Sequence, residues 1–251
     1  MRIYPSTADI SVIDQSEPDF ASPRHSHPQA QLIYAVSGVV EVTTEAGSWV
    51  VPPSRAVWVP AAMPHATRSH GPVEFRALLI GPAAPGAPGE RPLTCMVVEV
   101  TPLLRELILK LARVSKSASH DPDLIEAIIK LLMMELQFLP VAALSLPMPK
   151  TPELLFLCER VRADLTSTVS IEAAVTQLGM SRASFMRHFK TETAMSFGRW
   201  QQQARLLKAL ALLAEGRSIL NVALDCGYDS PSAFTAMFRR SLGKTPSDYF
   251  G

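Results

Sequence analysis

Cysteine is scarce in this chain, and long apolar runs are missing. Three cysteines among 251 residues, Cys95, Cys158 and Cys226, are too few and too scattered for a disulfide framework or a cysteine-rich zinc site. They read as buried thiols in a reducing compartment. No stretch approaches the roughly eighteen consecutive apolar residues of a membrane-spanning helix. The segment Met1-Arg-Ile-Tyr-Pro-Ser-Thr-Ala-Asp9 lacks the apolar core of a signal peptide. A cytoplasmic location with no membrane partner is therefore expected. Net charge is nearly absent as well: 24 Lys/Arg against 23 Asp/Glu leave +1, which taken over the whole chain argues against a nucleic-acid partner.

Two segments near the C-terminus repeat one another and point the other way, toward nucleic acid. The first reads Ile171-Glu-Ala-Ala-Val-Thr-Gln-Leu-Gly179-Met-Ser181, followed by Phe185 and Phe189. The second reads Ile219-Leu-Asn-Val-Ala-Leu-Asp-Cys-Gly227-Tyr-Asp-Ser230, followed by Phe234 and Phe238. The offset is 48 residues up to the glycine and 49 beyond it, a one-residue insertion at the turn. Each copy predicts a short helix, a glycine turn, a serine N-cap and a second helix, which is a helix-turn-helix. Glycine suits the turn because it adopts the left-handed conformation without a Cβ penalty. Pro231 at the first helical position loses nothing by lacking an N–H.

Periodicity assigns faces to the second helix of each copy. Phe185, His188 and Phe189 share one face, leaving Arg182, Ala183, Met186, Arg187 and Lys190 outward. Phe234, Met237 and Phe238 point inward in the other copy, leaving Pro231, Ser232, Thr235 and Arg239 outward. A long helical stretch from Phe197 to Ala214 joins the two copies. The charge divides accordingly. Residues 150–251 carry 13 Lys/Arg against 9 Asp/Glu, a net of +4, and residues 1–149 carry 11 against 14, a net of −3. The basic half is the one with the motif, and its modest excess means that placed contacts and helix N-termini must add to bulk charge.

With these residues in view, 151–250 resembles the DNA-binding domain of the AraC/XylS family of bacterial transcription regulators. The residues that carry the resemblance are Gly179-Met-Ser181, Phe185, Phe189, Arg205 with Ala209, Ile219 with Ala223, Gly227-Tyr228, Ser230, Phe234, Phe238 and Gly243-Lys-Thr-Pro246. The resemblance implies two recognition helices in successive major-groove segments, about 34 Å apart. Three departures stand out. Val175 takes the place of the small residue that Ala223 keeps, Ala236 replaces a basic residue of the second recognition helix, and Phe250-Gly251 replaces a closing arginine. The first recognition helix is thus expected to carry most of the base reading. Arg187 is the expected base contact, supported by Arg182 and Met186, with Ser232 and Thr235 from the second helix. Lys190 and Arg239 are expected on phosphate.

The N-terminal half is written in another style. Short β-type runs occupy 31–36, 39–43, 48–51, 56–59 and 73–80, punctuated at Gly38, Gly47, Pro52-Pro53, Pro60 and Gly71, which predicts a sandwich or barrel. An irregular loop over 81–89 precedes one more strand, 94–100. Thr101-Pro102 predicts a helix through about Val114, and Asp121-Pro122 another through about Phe138. The second carries an apolar surface wider than one stripe, which either faces a second copy of the chain in part or packs wholly on the barrel. Pro140, Pro147, Pro149 and Pro152 mark a linker.

Three histidines bear the chemistry of this half. His25 and His27 are two apart, so on a strand both project from one face. Gln31 follows four residues after His27, Gly38 seven later, and Pro60-Ala-Ala-Met-Pro-His65 comes further on. This resembles the two motifs of the cupin barrel, with Gln31 where cupins have glutamate and Ala62 where they have glycine. In cupins these positions hold a divalent metal. Here they offer three imidazoles and a neutral carboxamide, suited to iron, manganese, nickel or zinc but without the acid. The alternative, without metal, is that His25, His27 and His65 hydrogen-bond an organic effector or one another. Trp49 and Trp58 belong either to that cavity or, more commonly for tryptophan, to the core. A subgroup of the AraC family carries such a sensor barrel, and the segments Gln31-Leu-Ile-Tyr34 and Trp49-Val-Val-Pro-Pro53 extend the resemblance over nearly the whole chain.

The expected architecture is α+β with two domains. Residues 1–146 form a cupin-like β-barrel followed by helices, for effector sensing and dimerisation. Residues 147–251 form an all-α tandem helix-turn-helix. The expected function is a one-component, sequence-specific transcriptional regulator whose DNA binding or activation responds to a small molecule or metal in the barrel. It is expected to be no enzyme and to act on double-stranded promoter DNA as a homodimer, with RNA polymerase as a further contact. Activation is the commoner mode in the family. The alternative is a metal-dependent cupin enzyme, a dioxygenase or isomerase, with an appended DNA-binding domain. A dimerisation module bound to DNA without sensing is a third reading.

Overall fold

The computed structural model describes residues 2–5, 9–84, 91–116, 121–139 and 144–250. The chain divides into two compact units, Met1–Thr44 with Trp49–Val141, and Glu45–Ser48 with Ala142–Gly251.

The first unit is built from strands β1 (Arg2–Pro5), β2 (Ile10–Glu17), β3 (Ala21–His25), β4 (Ala30–Thr44), β5 (Gly47–Val51, whose first two residues fall in the second unit), β6 (Arg55–Val59), β7 (His65–Ile80), β8 (Met96–Glu99) and β9 (Phe138–Leu139). They pair in the order β1-β2-β7-β4-β6-β8-β9, with β3 also on β7 and β5 on β4. The ladders from β1 to β9 are antiparallel. Among the described residues this path is open: a sheet-rich domain of the expected kind, whose ladder does not close on itself.

Both faces of the central strands are buried. In β4, Ala30 to Ala35 are all buried, without alternation. One face, with Leu32, Tyr34, Leu78, Ile80 and Trp58, packs under helices α1 (Pro102–Val114) and α2 (Pro122–Glu135) through Leu104, Ile108, Leu111, Ile125, Ile129 and Leu132. Each such aliphatic side chain withdrawn from water stabilises by about 1.5–3 kcal/mol. The helices start where expected, with Thr101 accepting from Leu104 N and Asp121 from Asp123 N and Leu124 N. Trp58 is core: it is 1% exposed, donates to Pro92 O at 3.0 Å and meets Phe138 edge-on at 5.4 Å.

Several expectations are corrected. Gly38 and Gly71 are not turns; β4 and β7 run straight through them, and the ladder absorbs the irregularity as register shifts around Ser37. The second helix ends at Glu135, three residues early, because Phe138 joins β9 against Val98. The strand placed at 94–100 is Met96–Glu99. Pro147 and Pro152 are not free linker, since one closes a short strand and the other opens a helix. Part of the expected loop, 85–89, and Pro140 lie outside the described residues.

The second unit contains strand β10 (Ser145–Pro147) and helices α3 (Pro152–Ala163), α4 (Ile171–Leu178), α5 (Arg182–Thr193), α6 (Phe197–Ala214), α7 (Ile219–Asp225), α8 (Pro231–Leu242) and α9 (Pro246–Phe250). Serine caps α4, α5, α6, α7 and α8: the side chains of Ser170, Ser181, Ser196, Ser218 and Ser230 each accept from an N–H three residues on. The pairs α4–α5 and α7–α8 are the two helix-turn-helix units, with α6 between them. No helix among the described residues is long and apolar enough to cross a membrane.

Residues of the family pattern brace α6 against its neighbours. Arg205 donates to Thr168 Oγ1 at 2.6 Å and lies 5.9 Å from the Tyr228 ring centroid. Ala209 is fully buried. The Gln201 carboxamide donates to Val169 O at 2.9 Å and accepts from Val169 N at 3.0 Å, which locks the segment entering α4. Burial raises the Cys158 and Cys226 thiols to about 12 and about 11, so both stay protonated as structural side chains.

Candidate functional site

The exposed face of α5 is the first candidate site. Phe185, Phe189 and Thr193 are buried at i, i+4, i+8, and this fixes which side of the helix faces outward. Arg182, Ala183, Met186, Arg187 and Lys190 all lie exposed on that side. His188, expected inward, is exposed too; the buried stripe is one residue wide per turn and leaves it at the edge. Arg182 pairs with Glu172 of α4 at 2.7 Å, which holds the first residue of α5 against the preceding helix.

The far end of α5 is held by Glu192. Thr151 makes no side-chain cap for α3, and Glu192 supplies it by accepting from Lys150 N at 2.7 Å, Thr151 N at 3.0 Å and the Thr151 hydroxyl. The hydroxyl bond foremost, and then the N–H bonds, hold its carboxyl below the usual glutamate range. Trp200 Nε1 donates to Pro147 O at 2.7 Å, so the segment before α3 is fastened to α6 as well. Sequence spacing carries no signal for either contact, since the partners lie about 40 or 50 residues apart.

On α8, Pro231, Ser232 and Arg239 are exposed, whereas Thr235 is half-buried. Together with Ala236, Arg240 and Thr245 they line a groove of about 760 Å³. Arg240 and Thr245 fall outside the expected contacts. A basic doublet at 239–240 is their only sequence signal.

The second candidate site is the histidine cluster of the first unit. His65 is buried at the start of β7, and His25 stands opposite it at the end of β3. His27 lies beyond the end of β3, so the shared strand face expected for the pair is not how they meet. The chain leaves the strand ahead of Pro28, and the Ala62 N–H holds the turn by donating to His27 O at 2.9 Å. Ala62, in the place of the cupin glycine, adopts a φ of 59°. The three rings converge all the same, with centroids 4.5, 5.2 and 5.8 Å apart. One ring nitrogen from each lies within 4.8 Å of the others.

Hydrogen bonds fix the tautomers. Nδ1 of His25, His27 and His65 lies 2.8, 2.7 and 2.9 Å from the carbonyls of Pro23, Gln29 and Met63. A carbonyl only accepts, so each Nδ1 carries the proton and the lone pair of each neutral ring sits on Nε2. Burial lowers the His65 pKa, opposed by the Met63 carbonyl and helped by His25 and His27, so the ring is neutral at neutral pH. Gln31 Oε1 lies 2.9 Å from His65 Nε2 and 3.3 Å from His27 Nε2. Oxygen and lone-pair nitrogen repel unless a cation lies among them or the carboxamide turns its NH₂ toward the rings. Imidazoles anchored through Nδ1 on backbone carbonyls, as all three are here, with Nε2 left for a ligand are the arrangement that metal-binding histidines adopt.

Fold and sites together define a DNA-binding protein with a ligand-binding domain. Residues 7–133 match the AraC-like ligand binding domain family, and residues 174–251 match a helix-turn-helix domain family. The chain belongs to the AraC family of transcriptional regulators. It is 34% identical over 231 residues to the HTH-type transcriptional regulator NimR of Escherichia coli strain K12, covering 92% of this chain and 83% of that protein. It is 37% identical over 82 residues to regulatory protein SoxS of the same strain, 32% of this chain and 77% of that one. A solved structure of the DNA-binding domain of AdpA in complex with a target DNA aligns over 41% of this chain and 90% of that one, with 31% identity and a TM-score of 0.35. Membership of that family makes the protein a DNA-binding transcriptional regulator with a two-part architecture.

Proposed function

We propose that α5 reads bases through Arg187, supported by Arg182 and Met186, and that Ser232 and Thr235 of α8 read a second segment. Lys190 and Arg239 grip phosphate, while Ala183 and Pro231 let the helices approach the groove closely. The observation that carries this is the clean division of α5, with phenylalanines buried on one side and the basic side chains exposed on the other. Arg187→Ala should lose about 1–3 kcal/mol of operator binding and relax preference at one base position. Titration against a panel of operator variants tests it; an unchanged profile would sink the assignment.

The sensor site in this reading is His25, His27, Gln31 and His65, holding a divalent metal and through it a small-molecule effector. The three Nδ1-to-carbonyl bonds support it, because they prepare Nε2 for a cation. The site serves regulation rather than turnover, in keeping with relatives named as transcriptional regulators. Occupancy shifts DNA binding or polymerase contact only as far as the ligand prefers one arrangement of the protein. The functional division falls near residue 146, and the site of action is the cytoplasm.

The partner proposed for α2 is a second copy of the chain. Leu124, Leu131 and Met134 are exposed by 41, 41 and 73%, and Ala127 continues their line. Spacings of three, four and three residues form a seam suited to a like helix. Replacing Leu131 and Met134 together by glutamate should convert a dimer to monomer in sedimentation. An unaltered mass distribution would place the dimer contact elsewhere.

A further inference from the structure

We infer that the signal read at the histidine cluster is an anionic oxygen chelator, a small molecule bearing carboxylate-type oxygens, and that Gln31 sets this preference. The inference rests on the reading of His25, His27, Gln31 and His65 as a cation site.

As ligands to a cation, imidazole and carboxamide are neutral donors. The imidazoles keep their Nδ1 protons on backbone carbonyls, and the fourth group is a carboxamide. Among the described residues the cluster holds three histidines and no carboxylate, and the ionisable groups acting on His65 are His25 and His27. A divalent cation placed there keeps its full charge. In a partly buried site an uncompensated charge is costly, so an incoming anion gains what a protein carboxylate would otherwise supply. Glutamate at position 31 would supply it from within; glutamine leaves that role to the ligand.

The surroundings suit an oxyanion. Thr67 lies two residues after His65 on β7, hence on the same face, and Ser22 stands opposite Thr67 on β3. Both bring hydroxyl groups, which donate well to carboxylate oxygens. His65 and Gln31 are buried, whereas His27 is half-buried and His25 exposed, so the open side of the cluster is reachable from solvent. Hard anionic oxygens and imidazole nitrogens are an ordinary mixed shell for the divalent metals such a set accepts.

The test uses the full-length protein loaded with Ni²⁺, with oxalate as the anionic chelator and oxamide as its neutral counterpart. Metal content is measured first. Wild type should retain metal that a His25→Ala/His27→Ala variant does not; equal retention would overturn the cation-site reading, and the anion inference with it. Calorimetry on the loaded protein should then show oxalate binding at least about tenfold tighter than oxamide. In Gln31→Glu, metal retention should hold or rise while oxalate affinity falls by about tenfold or more. Metal content after equilibrium dialysis with oxalate separates a ternary complex from stripping. Oxalate that strips the metal, matches oxamide, or binds Gln31→Glu as well as wild type would overturn the inference while leaving the metal site standing.

Discussion

Replacing Phe189 by alanine should lower the stability of the DNA-binding unit by about 3–5 kcal/mol, the range for a fully buried aromatic truncated to a methyl. Phe189 is 0% exposed, and its ring centroid lies 5.7 Å from Phe185, 5.2 Å from Phe197 and 6.1 Å from Trp200. It therefore joins α5 to α6 through Phe197 and Trp200, with Phe185 of its own helix completing the cluster. Those partners cannot collapse into the void freely, because Trp200 is tied to Pro147 and Phe197 sits one residue past a capped helix start. For a unit of about 100 residues the loss corresponds to a melting temperature lower by roughly 15–30 °C. Met186 supplies the contrast, since it is 49% exposed on the same helix. Its replacement by alanine should leave melting within about 0.5 kcal/mol of wild type. Thermal and urea denaturation of the two variants give the comparison. Equal, small shifts would mean that the aromatic cluster does not hold α5.

The second large effect separates two glycines that look equivalent in the repeat. Gly227→Ala should cost about 3–5 kcal/mol, and Gly179→Ala about 1–2 kcal/mol, the ordinary penalty of a left-handed non-glycine residue. Both glycines have positive φ, 72° and 62°. A Cβ on Gly179 meets nothing within 4 Å, but on Gly227 it would come within 2.5 Å of Thr166 O and 2.6 Å of Leu165 O. That wall is firm, because Leu165 is buried and Thr166 is fastened through its N–H and hydroxyl to Asp164 at 2.9 and 2.5 Å. Either the second turn or the 165–166 segment must move. Chemical denaturation of both variants measures the difference, and similar midpoints would show that the wall yields.

Legibility differs between the two halves for a physical reason. The helix-turn-helix pair is readable because its signals are local: serine caps, turn glycines and phenylalanines one turn apart each act within a few residues. The exposed faces of α5 and α8 come out nearly as expected, failing at His188 and in part at Thr235, where one step of helical rotation decides burial. The first unit is less readable. Strands β1, β2 and β3 escape a sequence reading because their pattern is irregular and partly polar, as in Ile10-Ser-Val-Ile-Asp-Gln-Ser-Glu17. The second and third become strands by pairing with distant β7, and no local preference announces that. Gly38 and Gly71 read as turns because a bulge inside a long ladder and a hairpin between two short ones use the same residue.

The histidine set is legible as residues but not as geometry. Spacing singles out His25, His27, Gln31 and His65, yet the strand face that was to unite the first two is absent, and three carbonyls and the Ala62 turn bring them together instead. Glu192 leaves no trace in the sequence, because a carboxylate capping a helix about 40 residues away matches no local pattern. By itself the sequence determined the tandem motif, the charge division and which residues are candidates for the two sites, all of which rest on short-range chemistry. Only the tertiary structure decided which turn glycine is walled in, how each end of α5 is held and how the imidazoles converge. Those depend on chain segments that come together after collapse, where steric exclusion and hydrogen-bond satisfaction act between residues the sequence keeps far apart.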